Sequence, residues 1–232
     1  MPRNKHQAPK TPVKSKPWDR PTTLPSTGDS DPNEIYLMVG RALTRWETVE
    51  EHLGQIFALL IGLQEPSLAA VRAFGAIATN RGRADMLGAA AEIYFADYSD
   101  PALKETFRTL MVETAGFAAR RNEIAHGAVS GVVFEDGHEE FFLASPFYNT
   151  NKMKLGSGSV YAYTSGKILF YLNGFTGLYN ALDTFYWRLT ARVAARDSYG
   201  GTLTPAQIEA LDRLLLDPTA QTHRHPRKPS RV

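Results

Sequence analysis

The sequence contains no cysteine, and this absence excludes several kinds of site at once. Without thiols the chain can form no disulfide, no thiolate metal site, no iron–sulfur cluster and no cysteine nucleophile. A chain without cysteine also fits a reducing compartment. We therefore expect a cytoplasmic protein whose chemistry depends on oxygen and nitrogen groups.

Long hydrophobic runs are lacking as well. The longest uncharged stretch in the C-terminal half, residues 168–182, contains Asn173 and Asn180 and is shorter than the roughly 20 apolar residues that span a bilayer. Residues 1–21 have no apolar segment of the kind found in signal peptides. We expect a soluble protein that does not bind membranes.

A large net charge is also absent, but the charges are unevenly distributed. The chain carries a net charge of +2, with six basic and one acidic residue in positions 1–20 and four basic and no acidic residues in positions 223–232. The remaining span has 16 basic and 23 acidic residues. Basic ends of this kind either stay solvated or hold an acidic polymer such as RNA loosely.

Proline marks the domain limits. Seven of the 14 prolines lie within residues 1–32, where aliphatic residues are few. Such a segment lacks both the backbone donors and the apolar surface for folding alone, so we expect residues 1–31 to be a disordered basic tail. Residues 218–232 are expected to be a second basic tail. Residues 32–217 remain as one helical domain.

Two long segments have apolar residues at alternating steps of three and four, which predicts amphipathic helices that pack along each other. The first follows the start signal Asp31-Pro32, and the second covers about residues 165–195. Shorter helices are predicted from about residues 66, 84, 101 and 204. The two stripes are Ile35, Val39, Ala42, Trp46, Val49, Leu53, Ile56 and Leu60, and Ile168, Leu172, Phe175, Tyr179, Leu182, Tyr186, Leu189 and Val193.

An insertion with strand periodicity separates the helices. Residues 132–135 and 138–143 alternate around Asp136-Gly137, a pair that favours a two-residue type I′ hairpin turn with positive φ at both positions. Residues 159–163 could add a third strand. The predicted fold class is therefore an all-α bundle of four to five main helices, with a small hairpin or three-stranded insertion at residues 129–163.

Polar residues are concentrated near the end of the predicted helix that starts at residue 101. Arg121 lies on the apolar stripe, four residues after Phe117, so its guanidinium should face the neighbouring helix and require an acidic partner. Glu47 and Glu50 on the first helix are the candidates. Asn122 and His126 are four residues apart and share a helix face. An amide, an imidazole and a guanidinium are thus expected near one helix end.

At residues 120–127 the chain resembles the HEPN superfamily, the higher eukaryotes and prokaryotes nucleotide-binding domains. The signature of that family is Arg, four to six residues and then His, often with a polar residue directly after the Arg. It matches Arg121, Asn122 and His126 here. The helical architecture expected for residues 33–196 is similar too.

The resemblance implies a metal-independent endoribonuclease without cofactors, in which two copies of the chain form a composite cleft as a homodimer. Arg121 and His126 would be catalytic, Asn122 would orient the phosphate or the imidazole, and Glu47 or Glu50 would position Arg121. Arg120 would add positive charge to the cleft. RNA would be the substrate, and the setting would be a toxin–antitoxin or anti-phage system, with an antitoxin or regulatory protein as a further partner.

Three alternatives stay open at this stage. Arg121 could be a purely structural ion pair, with His126 and Gly127 forming an ordinary helix C-terminus. Phe117 stands where the family often has an acid or a base, and Ala128 where some of its toxins carry a modified Tyr, so a catalytically inert dimer that binds RNA or a partner protein is possible. Glu123 and His126 also have the spacing of di-iron bundles, although no second such pair lies on another helix.

Overall fold

The computed structural model describes residues 15–63, 67–146, 161–199 and 201–216. This part of the chain is mainly helical, with a small antiparallel sheet before the last long helix, which confirms the predicted class at that level. The helices are α1 (Pro32–Leu60), α2 (Leu68–Gly75), α3 (Asn80–Asp97), α4 (Pro101–His126), α5 (Ser165–Tyr199) and α6 (Pro205–Leu216). The strands are β1 (Ala128–Val133), β2 (Glu139–Ala144) and β3 (Ala162–Tyr163).

Side chains that accept backbone hydrogen bonds fix where the helices begin. Asp31 and Asp100 cap α1 and α4, with a proline directly after each, and both predicted starts are confirmed. Thr79 caps α3, which therefore begins four residues earlier than expected. Ser67 caps α2, and the predicted start at residue 66 lies outside the described residues.

The core forms where α1 packs along α5. The predicted α1 stripe is buried apart from the half-buried Val39. On α5 the core positions are partly different from those predicted. Residues 172, 179 and 186 are half-buried, and their places in the core are taken by the residues one position earlier, which fit the same alternation of three and four. The buried residues of this face are Ile168, Tyr171, Phe175, Leu178, Leu182, Phe185 and Leu189.

The sheet has the order β1-β2-β3 and begins directly after α4. In its hairpin, Gly137 N–H donates to Phe134 O at 2.9 Å, and Phe134 N–H donates to His138 O at 2.9 Å. Gly137 has a φ of +87°, whereas no described residue other than glycine has a positive φ. The type I′ turn was therefore a wrong prediction. The loop has three residues and ends on a left-handed glycine.

Residues 15–31, here called the N-terminal arm, pack on the helical body, which corrects the expectation of a disordered segment. Trp18 lies over Gly116, and Tyr171 Oη donates to Asp19 O at 3.1 Å. Asp29 exchanges two backbone hydrogen bonds with β2, and its carboxylate accepts from Ser165 N at 2.7 Å at the start of α5. Residues 1–14 and 217–232 lie outside the described residues.

A buried ion-pair network holds α6 against the body. Arg192 on α5 is fully buried, and its Nε donates to Asp100 at 3.1 Å while its Nη2 donates to Asp212 at 2.9 Å. Arg188 Nε donates to the same Asp212 carboxylate at 3.0 Å. Because Asp100 also caps α4, this network joins α4, α5 and α6. No helix within the described ranges has the length and apolar character needed to cross a membrane.

Candidate functional site

The end of α4 carries all the polar residues of the predicted motif. The helix runs to His126, and Gly127 leads the chain directly into β1. Gly127 has a φ of −73°, so it does not form the left-handed cap considered from the sequence. A Cβ at this position would lie 2.7 Å from Leu143 Cγ, which shows that glycine is needed there for close approach between helix and sheet.

Arg121 points toward α1 and stays partly accessible. Its side chain is 25% exposed, and its Nη2 lies 3.5 Å from Glu47 Oε1. Its Nη1 donates to Asn122 Oδ1 at 3.3 Å, while its buried Nε has no hydrogen-bond partner among the described residues. Glu47 is 65% exposed, so this ion pair is weak and leaves donors of the guanidinium available.

Glu50 does not contact Arg121, and this part of the expectation is wrong. The Glu50 carboxylate accepts from Trp46 Nε1 at 2.7 Å and pairs with Arg83 at the start of α3. The sequence named both Glu47 and Glu50 as candidate partners and left the choice between them open. The structure leaves only Glu47 beside Arg121.

Asn122 and His126 face outward, one turn apart. Both residues are exposed. His126 makes no hydrogen bond, ion pair or ring contact with the part of the chain that the structure describes, and none joins it to Arg121 or Asn122. Among the predicted residues, the structure therefore brings Arg121, Asn122 and Glu47 together. It presents His126 separately, at the end of the same helix.

Arg120 is the buried arginine of the motif, whereas the sequence analysis expected Arg121 to point inward and Arg120 to add charge to a cleft. Arg120 is only 9% exposed, and its Nη1 lies 3.1 Å from Glu123 Oε2. It therefore contributes to the interior and not to an open surface. Spacing could not decide between the two residues, because Arg120 and Arg121 both lie three or four residues from Phe117 and Ile124.

Glu123 is the centre of a polar cluster that the sequence analysis missed. Its carboxylate pairs with Arg20 of the N-terminal arm, pairs with Arg120 and accepts the hydroxyl of Tyr163, while its backbone oxygen accepts the hydroxyl of Tyr161 at 2.9 Å. The sequence signal for this cluster was the alternation of Tyr161 and Tyr163 on one strand face. The contribution of Arg20 had no local signal.

Burial shifts the protonation of this cluster. Burial, and then the hydrogen bond to Glu123, raises the pKa of Tyr163, so its hydroxyl remains a donor. Burial also raises the pKa of Tyr171 and lowers that of Lys167, with the charge of Arg120 further lowering the latter. Burial alone would lower the pKa of Arg20, but the hydrogen bond and charge of Glu123 raise it overall. The raised pKa values keep the hydroxyls of Tyr163 and Tyr171 and the guanidinium of Arg20 protonated.

The contacts of Glu123 also bear on whether Glu123 and His126, which have the spacing found in di-iron bundles, could bind a metal ion. The Glu123 carboxylate is already engaged by two guanidinium groups and a tyrosine hydroxyl, while His126 is exposed at the helix end. Within the described ranges no group of three or more His, Cys, Asp or Glu side chains could hold a metal ion. The arrangement at the end of α4 therefore offers a guanidinium, an amide and an imidazole. Such a set can bind a phosphate and move a proton.

Comparisons of the chain with protein-family models, with curated proteins and with solved structures found no match.

Proposed function

We propose that this chain is a metal-independent endoribonuclease of the HEPN type. The proposal rests on which side chains in the last two turns of α4 face the interior and which remain accessible. Arg120 and Glu123 are engaged in the interior, whereas Arg121, Asn122 and His126 keep polar groups available to a ligand. Together these three residue types can hold a phosphodiester and shuttle the proton of a neighbouring hydroxyl.

His126 would be the acid–base residue. It would take the proton from the ribose 2′-OH, so that the 2′-oxygen bonds to phosphorus, or it would protonate the departing 5′-oxygen as the bond from phosphorus to that oxygen breaks. The products are a 2′,3′-cyclic phosphate and a 5′-hydroxyl. An imidazole suits both steps because one ring nitrogen can accept a proton and the other can donate one.

Arg121 would bind the phosphoryl oxygens and stabilise the charge that develops on them. Glu47 would orient its guanidinium through the 3.5 Å contact, and Asn122 would orient the phosphate beside it. Because His126 makes no contact with Arg121 within one chain, a cleft formed with a second copy, as the HEPN resemblance implies, would bring the acid–base group and the guanidinium together. The proposed setting in a toxin–antitoxin or anti-phage system rests on that resemblance.

The test is cleavage of labelled single-stranded and structured RNAs in EDTA by wild type, Arg121→Ala and His126→Ala. We expect each substitution to lower the cleavage rate by about 10²-fold or more, which is typical for loss of acid–base or charge-stabilising groups. Matched controls are Arg108→Ala, an exposed arginine on the same helix, and His138→Ala, an exposed histidine in the hairpin. Both controls should cleave like wild type.

The controls also show whether any loss is specific. Circular dichroism melts and sedimentation should report the same fold and oligomeric state for all five proteins. If Arg121→Ala and His126→Ala cleave as fast as the controls, these residues are not catalytic. If wild type binds RNA without cleaving it, the inert binding dimer is the correct interpretation.

A further inference from the structure

A groove of about 370 Å³ runs between α1, α3 and α4 and ends at Asn122. Its volume lies at the lower end of the roughly 300–1,000 Å³ found for small-molecule sites. Asn122 is thus shared between the groove and the set of residues proposed to cleave RNA. Nothing in the proposed chemistry uses the rest of the groove.

The groove exists because α4 presents small residues toward α3. Ala115, Ala118 and Ala119 line one wall, and the almost fully buried Trp46 and Leu87 line the opposite side. Alanines on successive turns leave a space that larger side chains would fill. The result is a slot with apolar walls that can accept the faces of a flat ligand.

Polar groups occur at the edges of this slot. Asn80 and Asn122 each offer an amide that both donates and accepts hydrogen bonds. Thr114 also lines the groove, and its buried Oγ1 has no hydrogen-bond partner among the described residues. A buried hydroxyl without a partner is costly, so a ligand edge that hydrogen-bonds to it would be favoured.

The edge of the groove formed by the start of α3 is suited to binding a negatively charged group. The first turn of α3, at the positive end of the helix dipole, contains no acidic residue and contributes Asn80 and Arg81 to the groove lining. Arg81 in this turn is 92% exposed and has only a 3.8 Å contact with Asp85, so its charge is available. Arg83 is paired with Glu50, so its charge is not available to a ligand. Arg81 lines the groove on α3, and Arg121 donates at 3.3 Å to Asn122, which lines it on α4.

We propose that this groove binds one nucleobase of the RNA substrate, next to the phosphate held by Arg121 and Asn122. Apolar walls match the two faces of a base, two amides and a hydroxyl match its hydrogen-bonding edge, and the two arginines match the adjacent phosphates. The inference deepens the proposed function and rests on it. The groove would then select single-stranded RNA, because a base must leave its stack to enter.

The test is a titration of the full chain, labelled at its alanine methyl groups, with the four ribonucleoside 3′-monophosphates. We expect the methyl signals of Ala115, Ala118 and Ala119 to shift with at least one nucleotide and not with inorganic phosphate. Ala119→Trp should fill the slot and weaken nucleotide binding by about tenfold or more. The matched control is Ala102→Trp, an exposed alanine on α4 away from the groove, which should bind like wild type.

Binding and cleavage are measured separately so that the two proposals can fail separately. Equal nucleotide binding by Ala119→Trp and Ala102→Trp, or methyl shifts caused by inorganic phosphate alone, would overturn the base site even if the enzyme cleaves RNA. Nucleotide binding at the groove in a protein that never cleaves RNA would keep the base site and remove the proposed function. Absence of any methyl shift would overturn the base site and leave the groove to another occupant.

Discussion

At the scale of single residues, the neighbours Arg120 and Arg121 show how one position along a helix changes the role of a side chain. Arg120 turns inward to Glu123, whereas Arg121 stays a quarter exposed beside Glu47. Helical spacing predicted the location of the motif and two candidate partners for Arg121, of which Glu47 lies beside it and Glu50 does not. It could not predict which arginine is buried, because the deciding contacts come from Glu123 and from Tyr163, 40 residues further along the chain.

The close approach of Gly127 to Leu143 predicts that a larger residue at position 127 destabilises the protein. A Cβ there would lie 2.7 Å from Leu143 Cγ and 2.8 Å from Leu143 Cδ1, and Leu143 is only 2% exposed. We expect Gly127→Ala to lower the free energy of unfolding by about 1–3 kcal/mol, the usual cost of overpacking. Denaturant unfolding of the purified variant measures the change.

The matched control for that substitution is Gly88→Ala. Gly88 lies within α3, and apart from its two chain neighbours and the backbone of its own helix no atom lies within 4 Å of where its Cβ would be. Alanine there should raise the free energy of unfolding by about 0.5–1 kcal/mol because it favours the helix. If both substitutions shift stability in the same direction and by the same amount, close approach is not the reason for glycine at position 127.

At the scale of helices and strands, the sequence predicted where helices begin better than how the elements are connected and packed together. Asp31-Pro32 and Asp100-Pro101 fixed two helix starts because caps are local signals. The hairpin was also predicted, but its turn type was wrong because Asp136 keeps a negative φ and only Gly137 is left-handed. The anchoring of α6 had no local signal, since it depends on Arg192 reaching two aspartates that are far apart in sequence.

The contact between α5 and α6 predicts a dependence on pH. Burial alone would raise the pKa of Asp212, but its hydrogen bonds to Arg192 and Arg188 lower the pKa overall. A carboxyl with a lowered pKa in the folded state stabilises the protein above the ordinary value of about 4, and this stabilisation is lost as pH falls through the folded pKa. Asp212→Asn should therefore be less stable than wild type at pH 7, by about 1–3 kcal/mol.

Melting curves followed by circular dichroism between pH 7 and pH 3 measure this difference. The melting temperatures of wild type and Asp212→Asn should converge as the pH falls below about 4. Asp183→Asn is a suitable control on α5, since the Asp183 carboxylate contacts His52 at 3.2 Å and, among the described residues, does not contact Arg188 or Arg192. A gap between wild type and Asp212→Asn that stays constant over the whole range would show that the charge of Asp212 does not hold α6.

At the scale of the whole molecule, the N-terminal arm joins parts of the chain that composition could not connect. Its prolines and charges are typical of disorder, yet Trp18, Arg20 and Asp29 contact α4, Glu123 and the start of α5. Each of these partners lies about 100 residues or more away. Composition therefore could not predict the distant contacts that order residues 15–31.

The packing of the N-terminal arm leads us to expect that one aromatic side chain, Trp18, contributes to the stability of the whole molecule. Trp18 packs on Phe117 with ring centroids 5.5 Å apart, and Phe117 is only 4% exposed. We expect Trp18→Ala to lower the free energy of unfolding by about 2–3 kcal/mol, somewhat less than for a fully buried aromatic residue. Leu24→Ala, at a position 56% exposed in the same arm, should change it by less than about 0.5 kcal/mol. Equal effects in denaturant unfolding would mean that the arm is not anchored through Trp18.

The central claim, that the end of α4 cleaves RNA, is tested most directly by the chemistry of the RNA ends. Wild-type protein is incubated with a defined RNA in EDTA, and the product termini are determined by mass spectrometry. We predict 2′,3′-cyclic phosphates and 5′-hydroxyls, the products of attack by the 2′-oxygen with His126 moving the proton. Intact RNA, or ends carrying a 5′-phosphate, would contradict the claim.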